Sequence, residues 1–370
     1  MGETFRAPQR IVTGWGSFEE LGQLAAALGR RALLVTGRRA MKKAGITDRA
    51  VRLLRAAGLH VELFDQVESE PDVGTIDAAR QAARVGRADV VIGLGGGSAM
   101  DAAKAVAGLA HETAATREFL QGRKVQADVL PLVCVPTTSG TGSEATINGV
   151  ISDRERMVKT SIRDERLMPR VALVDPELTV TCPAEVTAAA GLDALSQAIE
   201  SYVSVHATAL TEALSVRAAE ELAASVEQAV KTPADRVART RAAWGSLMAG
   251  MALSNARLGM IHGIVHPLGV RYGIPHGLAC GVLLPVALEF NRETLGGKWS
   301  MLTRIFGGDP VEQCRQLLRR VGLPENLRGY NVRPEHFGTI ADESLPSGSL
   351  KANPRKVSRQ DIIEVLRQAC

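Results

Sequence analysis

Aromatic residues are scarce. They make up 4% of the 370 residues, so the apolar bulk of any core must come from Ala, Val, Leu and Ile. Cysteine is also sparse: Cys134, Cys182, Cys280, Cys314 and Cys370 are odd in number, widely spaced and form no CxxC pair. That excludes a disulfide framework and a zinc ribbon, and it points to a reducing, cytoplasmic compartment. No apolar stretch reaches the ~18 residues of a membrane span, and the first ten residues lack the apolar core of a signal peptide. Charge of one sign is lacking too. Lys+Arg 44 against Asp+Glu 40 leaves a net +4, with the arginines scattered rather than run together. Neither nucleic acid nor a membrane is therefore an expected partner. Hydrophobic residues at 45% and charged residues at 23% fit a globular chain, of a length that holds two domains or one large one.

The first half alternates strand-like and helix-like segments. The apolar run 31–36 ends at Gly37 and reads as a buried strand, as does 89–94; His60 to Phe64 alternates like a strand. Val129–Val135 and Val171–Val174 are further strands. Between them, 48–57, 73–85 and 99–110 carry helical spacing, the first two ended by Gly58 and Gly86. This alternation predicts an α/β layer with a mostly parallel sheet. After Asp175-Pro176 the composition changes. Residues 184–230 are dense in Ala, Leu, Glu, Gln and Ser, and 235–260, 277–291, 310–321 and 358–369 also read as helices. The expected division is an α/β domain over 1–180 and an all-helical domain over 181–370. Small-molecule sites commonly lie between domains.

Two polar turns follow strands. Gly95-Gly96-Gly97-Ser98 opens a helix, where glycines admit a phosphate close to the backbone and the helix start offers free N–H groups. With Gly93 it nearly spells GxGxxG, but it follows about the third strand rather than the first, unlike the usual dinucleotide fingerprint; a plain strand-to-helix turn is the other reading. The second turn, Pro136-Thr-Thr-Ser-Gly-Thr-Gly-Ser-Glu144, concentrates hydroxyls and glycines. It reads either as a donor-rich nucleotide loop or as an ordinary surface loop of Ser/Thr turns. Two such turns on one sheet edge favour a nucleotide. At the end of the first strand, Gly37 stands where a ribose-binding carboxylate is often found, and Arg38 and Arg39 follow. This leans towards the 2′-phosphate of NADP, against a reading in which both arginines are merely solvated; Glu70 is a substitute acidic group that would serve NAD.

Three of the seven histidines, His262, His266 and His276, fall within fifteen residues. His262 and His266 share one helical face, and Pro267 predicts that the helix ends or kinks at His266. Pro275-His276-Gly277 reads as the start of the next helix. Clustered imidazoles point to a metal or acid–base site, against satisfied core histidines. Gly263 replaces the glutamate that an HExxH metalloprotease needs. Asp193 and Gln197, four apart on an Ala-rich helix, offer an anionic donor with an amide oxygen beside it; the alternative is a charge at a helix start.

Taken in order, the segments Gly95-Gly-Gly-Ser-Ala-Met-Asp101-Ala-Ala-Lys104, Pro136 to Glu144, Ala190-Gly-Leu-Asp193-Ala-Leu, His262-Gly-Ile-Val-His266-Pro-Leu-Gly, Pro275-His276-Gly277 and Asn353-Pro-Arg355 resemble the iron-dependent (group III) alcohol dehydrogenase family over nearly the whole chain. The resemblance implies an N-terminal nucleotide domain, a C-terminal helical domain and an active site between them. It implies reduction of aldehydes or oxidation of primary alcohols with NAD(P)(H) and Fe²⁺ or Zn²⁺, in dimers or larger homo-oligomers. Carried over by position, Asp193, His262 and His276 match metal ligands, and His266 matches a histidine of proton transfer. Thr137, Thr138, Thr146, Asn148 and Lys159 match positions around the nucleotide and nicotinamide. Two positions depart from the family. Gln197 stands where the fourth ligand is usually His, so a less tightly held metal or a changed metal preference is expected. Gly37 stands where NAD-preferring members often have Asp. The alternatives that this leaves are a metal-independent reductase of the maleylacetate reductase type, a dehydroquinate synthase-like lyase using Arg257 and Arg271, and a non-catalytic nucleotide-binding protein.

Overall fold

The computed structural model describes residues 3–370. The chain divides into two compact units. One comprises Arg6–Thr138 and Gly142–Thr181, and the other Cys182–Cys370 with Ser139–Thr141 and the chain up to Phe5.

The first unit is built on eight strands: β1 (Arg10–Thr13), β2 (Arg31–Gly37), β3 (His60–Val67), β4 (Val90–Gly95), β5 (Leu132–Pro136), β6 (Asn148–Asp153), β7 (Val158–Arg163) and β8 (Val171–Val174). Six form one parallel sheet in the order β1-β8-β5-β4-β2-β3. Strands β6 and β7 form a separate antiparallel hairpin. Side chains alternate across the sheet. Leu33 and Val35 join an apolar cluster with Ile76 and Met100 on one face, while Leu34 joins Phe18, Leu54 and Ile92 on the other. Both faces are covered, which is why these strands read as continuous apolar runs.

The helices of this unit end where local chemistry directs. Val73–Val85 starts at Asp72, whose carboxylate accepts from Gly74 N at 3.1 Å. The helix Gly97–Leu109 begins at the glycine turn itself, two residues earlier than its spacing predicts. Gly95 adopts φ +147°, and a Cβ on Gly93 would meet Ala103 Cβ at 2.7 Å. Those glycines let the helix lie directly against β4.

The second unit is helical. Ala184–Val203, Ala209–Lys231, Arg236–Ala256, Met260–Tyr272 and His276–Asn291 carry its centre, with Pro310–Arg320 and Arg359–Ala369 packed around them. Its core is mostly Ala, Leu, Val and Ile, as the lack of aromatics requires. The helix Met260–Tyr272 does not end at His266 but runs through Pro267. Val265 and Leu268, both buried, flank the proline, and their packing outweighs the one backbone bond it removes. Small residues set the helix spacing. A Cβ on Gly277 would meet Ala189 O at 2.3 Å, and one on Gly281 would meet Leu192 Cδ1 at 2.7 Å. The His276–Asn291 helix therefore lies tightly against Ala184–Val203. No described helix is long and apolar enough to cross a membrane.

Candidate active site

In the helical unit, four side chains from three helices converge. One donor atom each of Asp193, His262, His276 and Cys280 lies within 4.8 Å of all the others. Asp193 Oδ1 is 3.2 Å from His262 Nε2 and 3.7 Å from His276 Nε2. Cys280 Sγ is 3.7 Å from His262 Nε2. The close helix crossing at Gly277 and Gly281 brings His276 and Cys280, one turn apart, up to Asp193. His266 continues the row: its ring centroid is 5.6 Å from that of His276, which is 5.5 Å from that of His262.

Glu200 holds this cluster in place. It lies seven residues, or two turns, after Asp193 on the same helix face. Its carboxylate accepts from His262 Nδ1 at 2.6 Å and from the backbone of Ile261 at 2.6 Å. One carboxylate thus satisfies an open N–H of the Met260–Tyr272 helix start and turns Nε2 of His262 towards Asp193. Asn353 accepts from the adjacent Met260 N at 3.2 Å and is tied to Asn291. Gly259 leaves room for both, since a Cβ there would meet Asn353 Oδ1 at 2.9 Å and Glu200 Oε1 at 3.0 Å.

Electrostatics follow from this crowding. Burial pushes the Asp193 carboxyl up, but His276 and His262 outweigh it and hold it down to about 2. Burial works against charge on His262, yet Cys280, Asp193 and Glu200 hold its pKa well above the ordinary histidine range. Burial pushes the Cys280 thiol up to about 12.

The residues present fit a divalent ion. Asp193, His262 and Cys280 are all at most 5% exposed and turn donor atoms towards one point. Gln197, midway between Asp193 and Glu200 on the same helix face, is 3% exposed, and its Oε1 is buried with no hydrogen-bond partner. A buried acceptor without a protein donor is costly unless a water or a cation meets it. The outer carboxylate on His262 is the usual support of a metal-ligating imidazole.

The sheet unit gathers the other group of candidates. Gly95 and Pro136 are register partners on adjacent strands β4 and β5, so the two polar turns do share one edge. Thr137 N donates to Gly95 O at 2.9 Å, and a Cβ on Gly96 would meet Thr138 Oγ1 at 3.4 Å. Behind them lies Lys104, fully buried. Its Nζ donates to Ser143 Oγ and Thr146 Oγ1, both at 2.6 Å, and to Asn148 O at 2.9 Å. Ser143 Oγ in turn donates to Asp101 Oδ1 at 2.6 Å. Burial lowers the Lys104 pKa and raises that of Asp101, and it lifts Glu144 to about 7. Lys159 Nζ meets Glu70 Oε1 at 2.5 Å, and Ser98 Oγ accepts from Glu70 N at 3.1 Å. Gly37 ends β2 at a register shift against β3. Arg38 Nε turns to Gln66 O at 3.0 Å, and Arg39 is exposed.

The nine-residue loop does not stay together. Thr137, Thr138, Ser143 and Glu144 belong to the sheet unit, while Ser139–Thr141 belong to the helical one. There Gly140 packs on Ala190, and its carbonyl accepts from Ser246 Oγ at 3.2 Å. Sequence reasoning assigned no part to Glu200 or Cys280. Glu200 acts through a contact 62 residues away; Cys280 had one local signal, its place one turn after His276.

Comparison with known proteins agrees with the fold. Residues 8–176 match the family model described as iron-containing alcohol dehydrogenase, and 187–370 match its C-terminal domain. The 1,3-propanediol dehydrogenase of Klebsiella pneumoniae is 35% identical over 355 residues, covering 92% of each chain. The crystal structure of a 1,3-propanediol oxidoreductase superposes with a TM-score of 0.96 at 32% identity over 100% of both chains. That of a sulfoacetaldehyde reductase from Bifidobacterium kashiwanohense, in complex with NAD⁺, superposes with a TM-score of 0.92 at 28% identity, covering 100% of this chain and 99% of that one. The fold and these relatives are those of an oxidoreductase of the alcohol dehydrogenase class. The chain belongs to the iron-containing alcohol dehydrogenase family.

Proposed function

We propose that this enzyme exchanges a hydride between NADP(H) and a small aldehyde or primary alcohol, with a divalent ion, Fe²⁺ or Zn²⁺, held by Asp193, His262 and His276. The observation that carries the reading is the convergence of those three donors in a chain of this family. When bound, the ion supplies polarisation of the substrate oxygen and the nicotinamide supplies the hydride. The protein's part is to bind, orient and move protons. Glu200 keeps His262 Nε2 turned to the ion site, and Gln197 adds a neutral acceptor beside it. His266, next in the histidine row, carries the proton that the substrate oxygen gains or loses.

In the sheet unit, domain 1–180 of our reading, the N–H groups of Gly95, Gly96, Gly97 and Ser98 receive the pyrophosphate at a helix start. Asp101 and Lys104 brace the loop bearing Thr146 and Asn148, and with Thr137, Thr138 and Lys159 these line the nicotinamide half. Gly37 offers no carboxylate to a ribose 2′-hydroxyl, Glu70 is taken up by Lys159, and exposed Arg39 favours a 2′-phosphate. Domain 181–370 holds the ion and the chemistry. Arg271 is paired with Glu343, which argues against its serving a phosphorylated lyase substrate.

The test is a panel of short aldehydes given to the metal-loaded enzyme with NADPH or NADH. Stoichiometric coenzyme oxidation with alcohol formation, faster with NADPH, is expected. Coenzyme binding without turnover across the panel overturns the reading.

A further inference from the structure

Gln197, on the helix face of Asp193, is a neutral oxygen donor. The cluster nonetheless contains a fourth strong donor, on a different helix. Cys280 is fully buried, one turn beyond His276, with its Sγ 3.7 Å from His262 Nε2 and within 4.8 Å of the donor atoms of Asp193 and His276. Around a four-coordinate ion of zinc size, bonds of ~2.0–2.1 Å to nitrogen or oxygen and ~2.3 Å to sulfur place donors about 3.3–3.6 Å apart. Three of the six donor spacings, 3.2, 3.7 and 3.7 Å, are close to such tetrahedral edges, and none of the six exceeds 4.8 Å. Gln197, four residues after Asp193 on the same helix face, adds a buried Oε1 that no protein donor satisfies.

We propose that Cys280, as a thiolate, is the fourth protein ligand of the metal beside Asp193, His262 and His276. This rests on the reading that Asp193, His262 and His276 hold an ion. As the ion enters, the S–H bond breaks, the proton leaves to solvent and the sulfur lone pair forms the bond to the metal; no oxidation state changes. Asp193 and the thiolate then balance the double positive charge. A soft sulfur donor turns the site's preference from Fe²⁺ towards Zn²⁺. The other four cysteines lie outside the donor cluster.

The test uses the full-length, metal-stripped protein titrated anaerobically with Co²⁺. One equivalent should bind with visible ligand-field bands and an intense near-ultraviolet sulfur-to-cobalt charge-transfer band. Cys280→Ser should lose the ultraviolet band, keep the visible ones and bind Co²⁺ at least roughly tenfold more weakly. Cys314→Ser, which alters another buried thiol of the same unit, should keep both sets of bands. Visible bands without charge transfer in the wild type overturn Cys280 as a ligand while leaving the three-donor metal site standing. Charge transfer that persists in Cys280→Ser overturns it in favour of another cysteine. No stoichiometric Co²⁺ at all overturns both the ligand and the metal reading beneath it.

Discussion

The two units each bury a polar cluster, and the two are built on opposite plans. The sheet unit's cluster contains its own cation. Lys104 Nζ has three oxygen acceptors within 2.9 Å, and Asp101 stands 3.8 Å away. The helical unit's cluster sets carboxylates and a thiol against imidazoles: His262 lies between Asp193 and Glu200, with Cys280 and His276 beside them. Buried polar groups are tolerable only when satisfied. A cluster that is complete without help is a brace. A cluster that gathers metal-ligating side chains around one point fits a cation, as the proposed function requires. The contrast separates stability from chemistry, and substitutions on either side should report different quantities.

The largest effect is expected from Asp193→Ala. Loss of the anionic donor should lower turnover by about a thousandfold or more, some 4 kcal/mol of transition-state stabilisation. Binding of the reduced nicotinamide coenzyme, measured by fluorescence titration, should hardly change. Equal loss of both would erase the division of roles. Lys104→Met should do the reverse and lower the unfolding free energy by about 3 kcal/mol in denaturant melts, because it leaves Asp101 buried without its cation. Lys104→Met with Asp101→Asn should recover part of that loss; no recovery would mean that the ammonium acts through its other three bonds.

Glu144 gives a pH-dependent version of the same brace. Its buried carboxyl titrates at about 7, against 4.5 when free. Between those values the folded state holds a proton that the unfolded state has released. Stability should therefore fall as pH rises from about 4.5 to 7, by about 3 kcal/mol from this group. Glu144→Gln should flatten that slope and be the more stable protein at pH 8; an unchanged slope assigns the titration elsewhere. The smallest effect is expected from Glu200→Gln, which keeps the bond to His262 but removes the charge behind it. Metal affinity should drop about 10–100-fold, the range for a lost outer carboxylate. A stability loss with unchanged affinity would make Glu200 a helix cap only.

Much of this was legible in the residues. The strands 31–36 and 171–174 are apolar runs ended by turn residues, and the helix over 73–85 has both its cap and its terminating glycine. The histidines and Asp193 announced themselves by type and spacing. Other features had no local signal. Strand β1 has four residues, none of them buried, and is a strand only because β8 pairs with it. The β6–β7 hairpin turns through Arg154–Met157 with no glycine or asparagine, Met157 itself taking φ +55°, so the usual turn chemistry is missing. Pro267 looked like a helix end because sequence rules see the lost N–H and not the packing that outweighs it. Glu200 looked like one more helix glutamate. Its part comes from a histidine 62 residues later, which no window of sequence contains.

The three-residue tip Ser139–Thr141 has a practical consequence. It is encoded within the sheet unit's stretch of chain yet folds as part of the helical unit, filling the space over Ala190 and accepting from Ser246. The boundary at residue 181 is therefore not a clean place to cut. A truncated chain or chimaera that begins at 182 inherits helices missing a piece of their own surface. Exchange of helical units between relatives must carry this tip along, or must recruit partners whose loop presents the same backbone carbonyl and the same lack of a side chain at Gly140.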